Sequence, residues 1–497
     1  VKTLQNHQEN IERANKAIDK IKDQVSQHEW RLQYHVMPPA NWMNDPNGFS
    51  FFRGEYHLFY QHHPYDPKWG PMHWGHVKSK DLVNWEHLPI ALAPSEPYDK
   101  DGCFSGSAIE KDDKLYLIYT GNVWIEDGPL DEDLTQVQAV AVSEDGIHFE
   151  KLKENPVIAE IPDGDINIFH FRDPKVWKRG DTYYMVLGSK TKKNTGQVLL
   201  YRSEDLIRWD FVSIMAKGEG NFGFMWECPD LFELDGKDVL VMSPQGLEPE
   251  GDKYHNLHQA GYIMGQLNYN TGKFNHGALH LLDHGFDFYA PQTMVDDQGR
   301  RILVAWMDMW ESEMPTQTHG YAGAMTIPRL VTRDKDNLRT VPVPELQTLR
   351  QHQVSYENVQ VNGASSLNGV EGDCLELEID IDPNEATTFG LKLRVDDEVN
   401  QETKLLFDQQ AGTVTLDRNK SGKGPGGFRR TTVNMAKNVH LQIFIDKSSV
   451  EIFINRGEKV MTSRIFPTEN ATGISFFADQ EMTIERLSKW ELKQAIK

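Results

Sequence analysis

Apolar and polar residues alternate along this 497-residue chain in three different rhythms. Near the start, Ile11, Ala14, Ile18, Ile21 and Val25 recur at three- and four-residue steps among charged neighbours. That spacing lays one apolar stripe along a helix and predicts a surface helix over residues 4–28, in an N-terminal segment 1–29 docked on the main domain. After Trp30 the texture changes to short alternating runs, such as Leu115 to Tyr119, Tyr183 to Leu187, Val239 to Met242 and Ile302 to Trp306, broken by Gly, Asp and Asn. Period-two alternation between turn residues predicts strands, here from 30 to 332. Residues 333–353 are charged and punctuated by proline, as in Val341-Pro342-Val343-Pro344, which resembles a linker. Alternation then resumes over 354–497, for instance from Cys374 to Ile381 and from Val439 to Ile445, with the strand count and turn spacing of a β-sandwich.

Within 30–332 the chain resembles itself at a period of roughly 60 residues, the spacing of propeller blades or solenoid units. One set of marks is Ser79-Lys80-Asp81-Leu82 leading to Trp85, Ser143-Glu144-Asp145-Gly146 leading to Phe149, and Ser203-Glu204-Asp205-Leu206 leading to Trp209. Each reads as a turn closed by an aromatic plug. A second set, out of phase with the first, is Asn44-Asp45-Pro46, Phe104-Ser105-Gly106, Arg172-Asp173-Pro174, Glu227-Cys228-Pro229 and Tyr289-Ala290-Pro291. Proline, which lacks a ladder donor, is tolerated at the start of a strand. Five such starts predict a five-bladed β-propeller whose innermost strands begin at these points. The fold class expected is therefore all-β, a propeller followed by a C-terminal β-sandwich, with a short N-terminal helix. If the starts converge on one end of a central channel, Asp45, Asp173 and Glu227 become neighbours. In the alternative, a plain sandwich or solenoid, they never meet.

Charge narrows the partners. Acidic residues outnumber basic ones by 74 to 52, a formal charge of −22, which repels polyanions and acidic membrane surfaces. Neither nucleic acid nor membrane is expected as a partner, and no apolar run approaches the roughly 20 residues of a membrane helix. Cys103, Cys228 and Cys374 are odd in number and widely spaced, without a CxxC pair. They read as reduced thiols and, with no apolar signal core near the first residues, predict a cytoplasmic protein. Oligomeric state is not legible at this level.

The three acids differ in their surroundings. Asp45 lies in Trp42-Met43-Asn44-Asp45-Pro46-Asn47-Gly48, where Pro46 favours an extended Asp45, Asn47-Gly48 supplies a tight turn, and Trp42 offers a plate for a sugar ring. Asp173 stands beside Arg172, a permanent cation that should favour its ionised form. Glu227 lies among Phe222, Phe224, Met225 and Trp226, and desolvation there would keep a proton available for general-acid work. Individually Asp45 is as well explained by an Asx turn and Asp173 by a strand-end salt bridge, while in a strand Trp226 and Cys228 would point away from Glu227, and Asp230 is its rival acid. Jointly, at equivalent blade starts, they make a nucleophile, an acid and a third carboxylate, the apparatus of glycoside hydrolysis.

Other chemistries fit less well. His62, His63, His73 and His76 suggest a metal site, but no HExxH is present and a strand would send His73 and His76 to opposite faces, so no metal or cofactor is expected. Phosphate-cradling GxxxxGK[ST] and a GxSxG elbow around Ser105 are both missing.

The motifs around Asp45, Arg172-Asp173-Pro174 and Glu227-Cys228-Pro229-Asp230 resemble the three acidic signatures of glycoside hydrolase family 32, the invertase and fructanase family. Tyr60-Gln61, Trp74-Gly75-His76, Phe104-Ser105-Gly106-Ser107 and Asp287-Phe288-Tyr289-Ala290-Pro291-Gln292 resemble its sugar-pocket segments. The resemblance implies a retaining β-fructofuranosidase acting on sucrose or sucrose 6-phosphate. It implies Asp45 as the nucleophile, Glu227 as acid and base, and Asp173 as transition-state stabiliser. A substrate site lined by Trp42, Asn44, Gln61, Trp69, Phe104, Ser105, Arg172, Tyr289 and Trp306 is implied too. Gln245-Gly246-Leu247 and Tyr254-His255-Asn256 resemble the bacterial intracellular members, for which Lys190, Lys192, Lys193, Lys253 and His255 are candidate phosphate contacts. An exo-acting fructanase, a fructosyltransferase and a non-catalytic carbohydrate-binding protein on the same scaffold stay open.

Overall fold

In the computed structural model, which describes residues 2–125, 132–436 and 438–496, the alternating runs between 41 and 342 form five antiparallel sheets. Each is a meander of four main strands laid in chain order. Their innermost strands are Asn41–Phe52, Gly102–Lys111, Phe171–Arg179, Met225–Leu234 and Tyr289–Val295. Each touches the next around a ring and the fifth touches the first, so the sheets are the blades of a propeller. The ring closes where Tyr321–Ala322 pairs in parallel with Asn41 and Trp42, the Asn41 amide donates to Gly320 O at 2.7 Å and the Met325 amide donates to Val36 O at 2.8 Å.

All five inner strands carry a register irregularity at the same place. The shifts fall between Met43 and Pro46, Phe104 and Gly106, Tyr289 and Gln292, Glu227 and Asp230, and opposite Arg172–Lys175. A bulge sets two residues against one, bends the strand and re-aims a side chain. It also explains the prolines: 46, 174, 229 and 291 sit where the ladder is already interrupted and asks for no N–H. Asp173, Cys228 and Ala290 take φ of 65°, 47° and 49°, turning the chain at these bulges. In the second blade Gly106 stands in place of proline, and a Cβ there would meet Ile118 O at 1.9 Å.

The other repeat closes the outer edges. Asp81, Asp145 and Asp205 each accept two backbone N–H bonds two and three residues on, at 2.7–3.0 Å, between the third and fourth strands of their blades. The indoles of Trp85 and Trp209 donate back to the carbonyls of Leu82 and Leu206.

The N-terminal stripe forms two helices, Lys2–Asp19 and Lys22–Ser26, not one. A turn closed by the Ile21 amide on Ile18 O bends it around a cluster that holds Ile11, Ala14, Ile18 and Val25 against Leu32, Ile90, Met307 and Tyr321. Asn15 Oδ1 and His7 Nε2 accept the Ile90 and Ala93 amides, so the helix covers the outer edge of the first blade.

The stretch 333–353, read from its prolines as a linker, is built into both halves. Asn337–Pro342 is the outer strand of the fifth blade, Pro344–Leu349 is a short 3-10 helix with Leu346 and Leu349 buried, and Arg350–Ser365 is a strand of the C-terminal module. Pro342 ends a strand and Pro344 opens a helix, where a missing N–H costs no bond. Beyond it, Cys374–Asp382, Val439–Asp446, Ser449–Ile454 and Lys459–Arg464 form one layer and Thr388–Asp396, Gln401–Asp408, Thr413–Lys420 and Phe428–Thr432 the other. The 20-residue strand Gly473–Leu492 pairs with Thr388–Asp396 early and with Cys374–Asp382 later, and so crosses between the layers of the sandwich. No helix is long and apolar enough to cross a membrane among the described residues.

Candidate active site

At the bulged end of the ring Asn44, Asp45, Gln61, Trp69, Phe104, Ser105, Arg172, Asp173 and Glu227 line one pocket of about 280 Å³. Three blades thus deliver the three acids to one place. Asp45 is buried, and accepts the Ser105 hydroxyl on Oδ2 at 2.6 Å and the Asn44 amide on Oδ1 at 3.2 Å. Burial and then the Glu227 carboxylate push its pKa up, against the pull of these hydrogen bonds. Asp173 accepts the Cys228 backbone N–H at 2.9 Å. Burial is the main force on it and, with Glu227 and Asp45 nearby, raises it to about 7 in spite of Arg172. The Cys228 thiol lies 3.4 Å from Asp45 Oδ2 and 3.6 Å from Asp173 Oδ2, between the two acids with one proton to give.

Glu227 behaves in the opposite way. Burial raises it, yet the Arg172 guanidinium and the Tyr289 hydroxyl outweigh burial and leave it below the usual carboxylate value. Arg172 donates to Oε1 from Nη2 at 2.8 Å and from Nε at 3.2 Å, while Tyr289 and Gln245 donate to Oε2 at 2.5 and 2.9 Å. The sequence-based expectation paired Arg172 with its neighbour Asp173 and gave Glu227 the raised pKa. The structure exchanges them: the bulge at Asp173 brings both side chains into the pocket, and there the arginine reaches across to Glu227 on the next blade.

Three residues expected to line the pocket stand behind it. The Trp42 indole donates to Asn44 Oδ1 at 2.7 Å and stacks on Trp310, which itself lines the pocket. Tyr289 is buried and enters only through its hydroxyl on Glu227. Trp306 is fully buried, packed between Trp42, Tyr289 and Trp310.

Other wall residues went unread in the sequence: Trp124, Leu134, Gln136, His170 and Trp310. Trp124 and Leu134 face each other across a hairpin, and Gln136 pairs with Asn122 in the same ladder. Nothing local in the sequence marks them. His170 did leave a signal, since it lies two residues before Arg172 and so on the same side of an extended chain. Its Nδ1 accepts Arg172 Nη1 at 2.8 Å and helps to aim the guanidinium.

None of the five basic phosphate candidates lines this pocket. The Lys190 ammonium lies 5.9 Å from the Phe224 ring, Lys192 and Lys193 are exposed, His255 bonds Gly251 O, and Lys253 faces a separate cavity. Nor do His62, His63 and His73 converge: each directs Nδ1 to a backbone oxygen, of Trp42, Lys68 and Pro71, while His76 bonds His57. Among the described residues no group of three or more His, Cys, Asp or Glu is placed to hold a metal ion.

Comparison with known proteins gives a concordant picture. Residues 35–342 match the Glycosyl hydrolases family 32 N-terminal domain and residues 345–491 match the Glycosyl hydrolases family 32 C terminal. A sucrose-6-phosphate hydrolase of Escherichia coli is 42% identical over 461 residues, which is 92% of this chain and 94% of that protein. The structure is similar to a family 32 β-fructofuranosidase of Bombyx mori, a variant of which was solved with sucrose, at a TM-score of 0.86 and 36% identity over 98% of both chains. A sucrose-6-phosphate hydrolase from Lactobacillus gasseri also superposes at 0.86, with 30% identity over 97% of both chains.

Proposed function

The chain belongs to glycosyl hydrolase family 32, and from that membership we propose that its pocket hydrolyses sucrose or sucrose 6-phosphate as a retaining β-fructofuranosidase. The observation that carries this reading is the meeting of three carboxylates from three blades in one pocket walled by Trp69, Phe104, Trp124 and Trp310.

Asp45 attacks the anomeric carbon of the fructosyl unit while Glu227 gives its proton to the departing glucosyl oxygen, so that the C–O bond to glucose breaks as the ester bond to Asp45 forms. Glu227, now a carboxylate, takes a proton from water. The resulting hydroxide displaces Asp45 and fructose leaves with its configuration kept. Asp173, with no formal bond to make, holds fructose hydroxyls and balances the positive charge that develops on the ring.

The resting electrostatics add a step. With Glu227 held low by Arg172 and Asp173 raised to about 7, the free pocket keeps its proton on the aspartate side. Sugar hydroxyls that donate to Asp173 and Asp45 favour their ionised forms, and a glycosidic oxygen needs a donor from Glu227. Substrate binding thus moves the proton to the residue that uses it.

We read the cytoplasm as the setting, on the three cysteines that remain thiols. The deciding experiment measures kcat/KM for sucrose, sucrose 6-phosphate, inulin and levan. Fructose should be released from the disaccharides well ahead of the polymers. A preference of more than about tenfold for sucrose 6-phosphate would assign the phosphorylated sugar, because a bound phosphate adds charge-assisted hydrogen bonds. NMR of the first product should show β-fructose, and an initial α-anomer or no release from either disaccharide would overturn the reading.

A further inference from the structure

A second cavity, of about 430 Å³, lies between the last two blades and the C-terminal module and is lined from both. Its size is that of a small-molecule site. Five basic residues line it: Lys253, His280, His284 and Arg339 from the propeller and Lys459 from the sandwich. The carboxylates beside them are already engaged. Asp334 pairs with Arg339 at 2.6 Å, and Glu458 accepts the Asn434 backbone N–H at 3.1 Å and the Asn455 amide at 3.0 Å. Among the described residues none forms an ion pair with Lys253 or Lys459. Two ammonium groups without an ion-pair partner, one from each module, stand out in a chain of formal charge −22, although the Glu458 carboxylate favours the charge on Lys459.

The histidines complete a recognisable donor set. Burial, with Lys459 and Lys253 close by, holds His284 down to about 3, and burial with the same two lysines lowers His280. Both rings are therefore neutral near pH 7 and each carries one N–H to donate. Two ammonium point charges and two imidazole N–H groups suit a compact dianion with several acceptor oxygens. Around them Tyr254, Asn337, Thr432 and Asn434 offer polar groups to hydroxyls. We propose that this cavity binds a phosphomonoester, with the phosphate between Lys253 and Lys459 and a sugar-sized remainder along the polar wall, at a site separate from the pocket of the acids. Because both modules supply the cations, such a ligand ties the sandwich to the propeller.

Titration calorimetry on the full chain tests this, with inorganic phosphate, glucose 6-phosphate and glucose as probes. Phosphate and glucose 6-phosphate should bind the wild type. Lys459→Gln should weaken both by about tenfold, the worth of one charge-assisted contact, with sucrose turnover unchanged. Lys459→Arg, which keeps the charge, should bind within about threefold of the wild type. Circular dichroism establishes that each variant is folded. Binding of phosphate to Lys459→Gln as tight as to the wild type, or no phosphate binding by the wild type at millimolar concentration, would overturn the proposal. Binding of glucose 6-phosphate to Lys459→Gln as tight as to the wild type would place that ligand in the pocket of the acids and overturn the proposal too.

Discussion

Two places in this molecule bury three carboxylates together, and they are built to opposite ends. At the junction of propeller and sandwich lie Asp283, Asp446 and Glu451, with His35 and Arg329 between them. Asp446 accepts the Gln33 and Tyr34 amides, Glu451 the Ile327 amide, and Asp283 the Gly285 and Thr462 amides, all at 2.8–3.0 Å. His35 bonds a carboxylate from each ring nitrogen, at 2.7 and 2.8 Å, and so stands as the imidazolium. Burial lowers it, but Asp446 and Glu451 outweigh burial and raise it to about 9. Two cations and five backbone amides leave these acids nothing further to bind. In the pocket a single guanidinium serves three carboxylates, and Asp45 has only side-chain donors. Saturated acids hold two modules together, whereas acids left short of partners have capacity for a sugar and a proton.

The comparison can be broken by substitutions that should act on one cluster only. The largest effect belongs to the pocket: Asp45→Asn and Glu227→Gln should each cut turnover by about 10⁴-fold or more. Asp45→Asn relieves repulsion and should leave the melting temperature unchanged or higher, whereas Glu227→Gln takes the counter-charge from buried Arg172 and should lower it while the fold survives. A collapse of the fold in these variants would erase the distinction. At the junction, Arg329→Met strands Asp283 and Glu451 and should cost about 3–5 kcal/mol in urea unfolding, with kcat of the folded fraction unchanged.

Next comes pH. His35 is raised from an ordinary value of 6.5 to about 9, so the stability it contributes is complete below pH 6.5 and is lost as pH climbs through 9. Unfolding in urea at pH 6.5 and 9.5 should differ by about 3 kcal/mol on its account, a difference that His35→Gln removes. In the pocket the sign runs through catalysis: kcat/KM should fall above about 7 as the acids lose their shared proton. Asp173→Asn removes one repelling charge and should move that limb down by about one pH unit. Cys228→Ala is the mildest test. A thiol is a weak donor, and its loss should change kcat by less than about tenfold.

Much of this was written in the sequence, and the reason is periodicity. Asp45, Asp173 and Glu227 could be brought together from the text because each stands one or two residues before a proline in a repeated unit, and that repeat is the blade. What escaped was set by contacts between units. Arg172 was assigned to its neighbour Asp173, whereas its hydrogen-bonded partner is Glu227, 55 residues on and on the next blade. Trp42 was read as a plate for a sugar ring and Trp306 as a lining residue, but both pack behind Trp310, which no motif announced. The linker reading rested on prolines that instead punctuate a strand and a short helix. His35 drew no notice, since its carboxylates lie 411 and 416 residues away.

That separation also sets a timetable. The first blade is made early, yet the strand that borders Asn41 and Trp42 is Tyr321–Ala322, and the acids that seat His35 come more than 400 residues after it. At the usual pace of a ribosome the wait is about 20–80 s. Through that interval the opening blade has an unsheltered border and an imidazole without its counter-charges, and the ring has a gap where Tyr289 will stand. The order of translation therefore makes hydrolysis a property of the finished chain and leaves its earliest residues longest in need of protection.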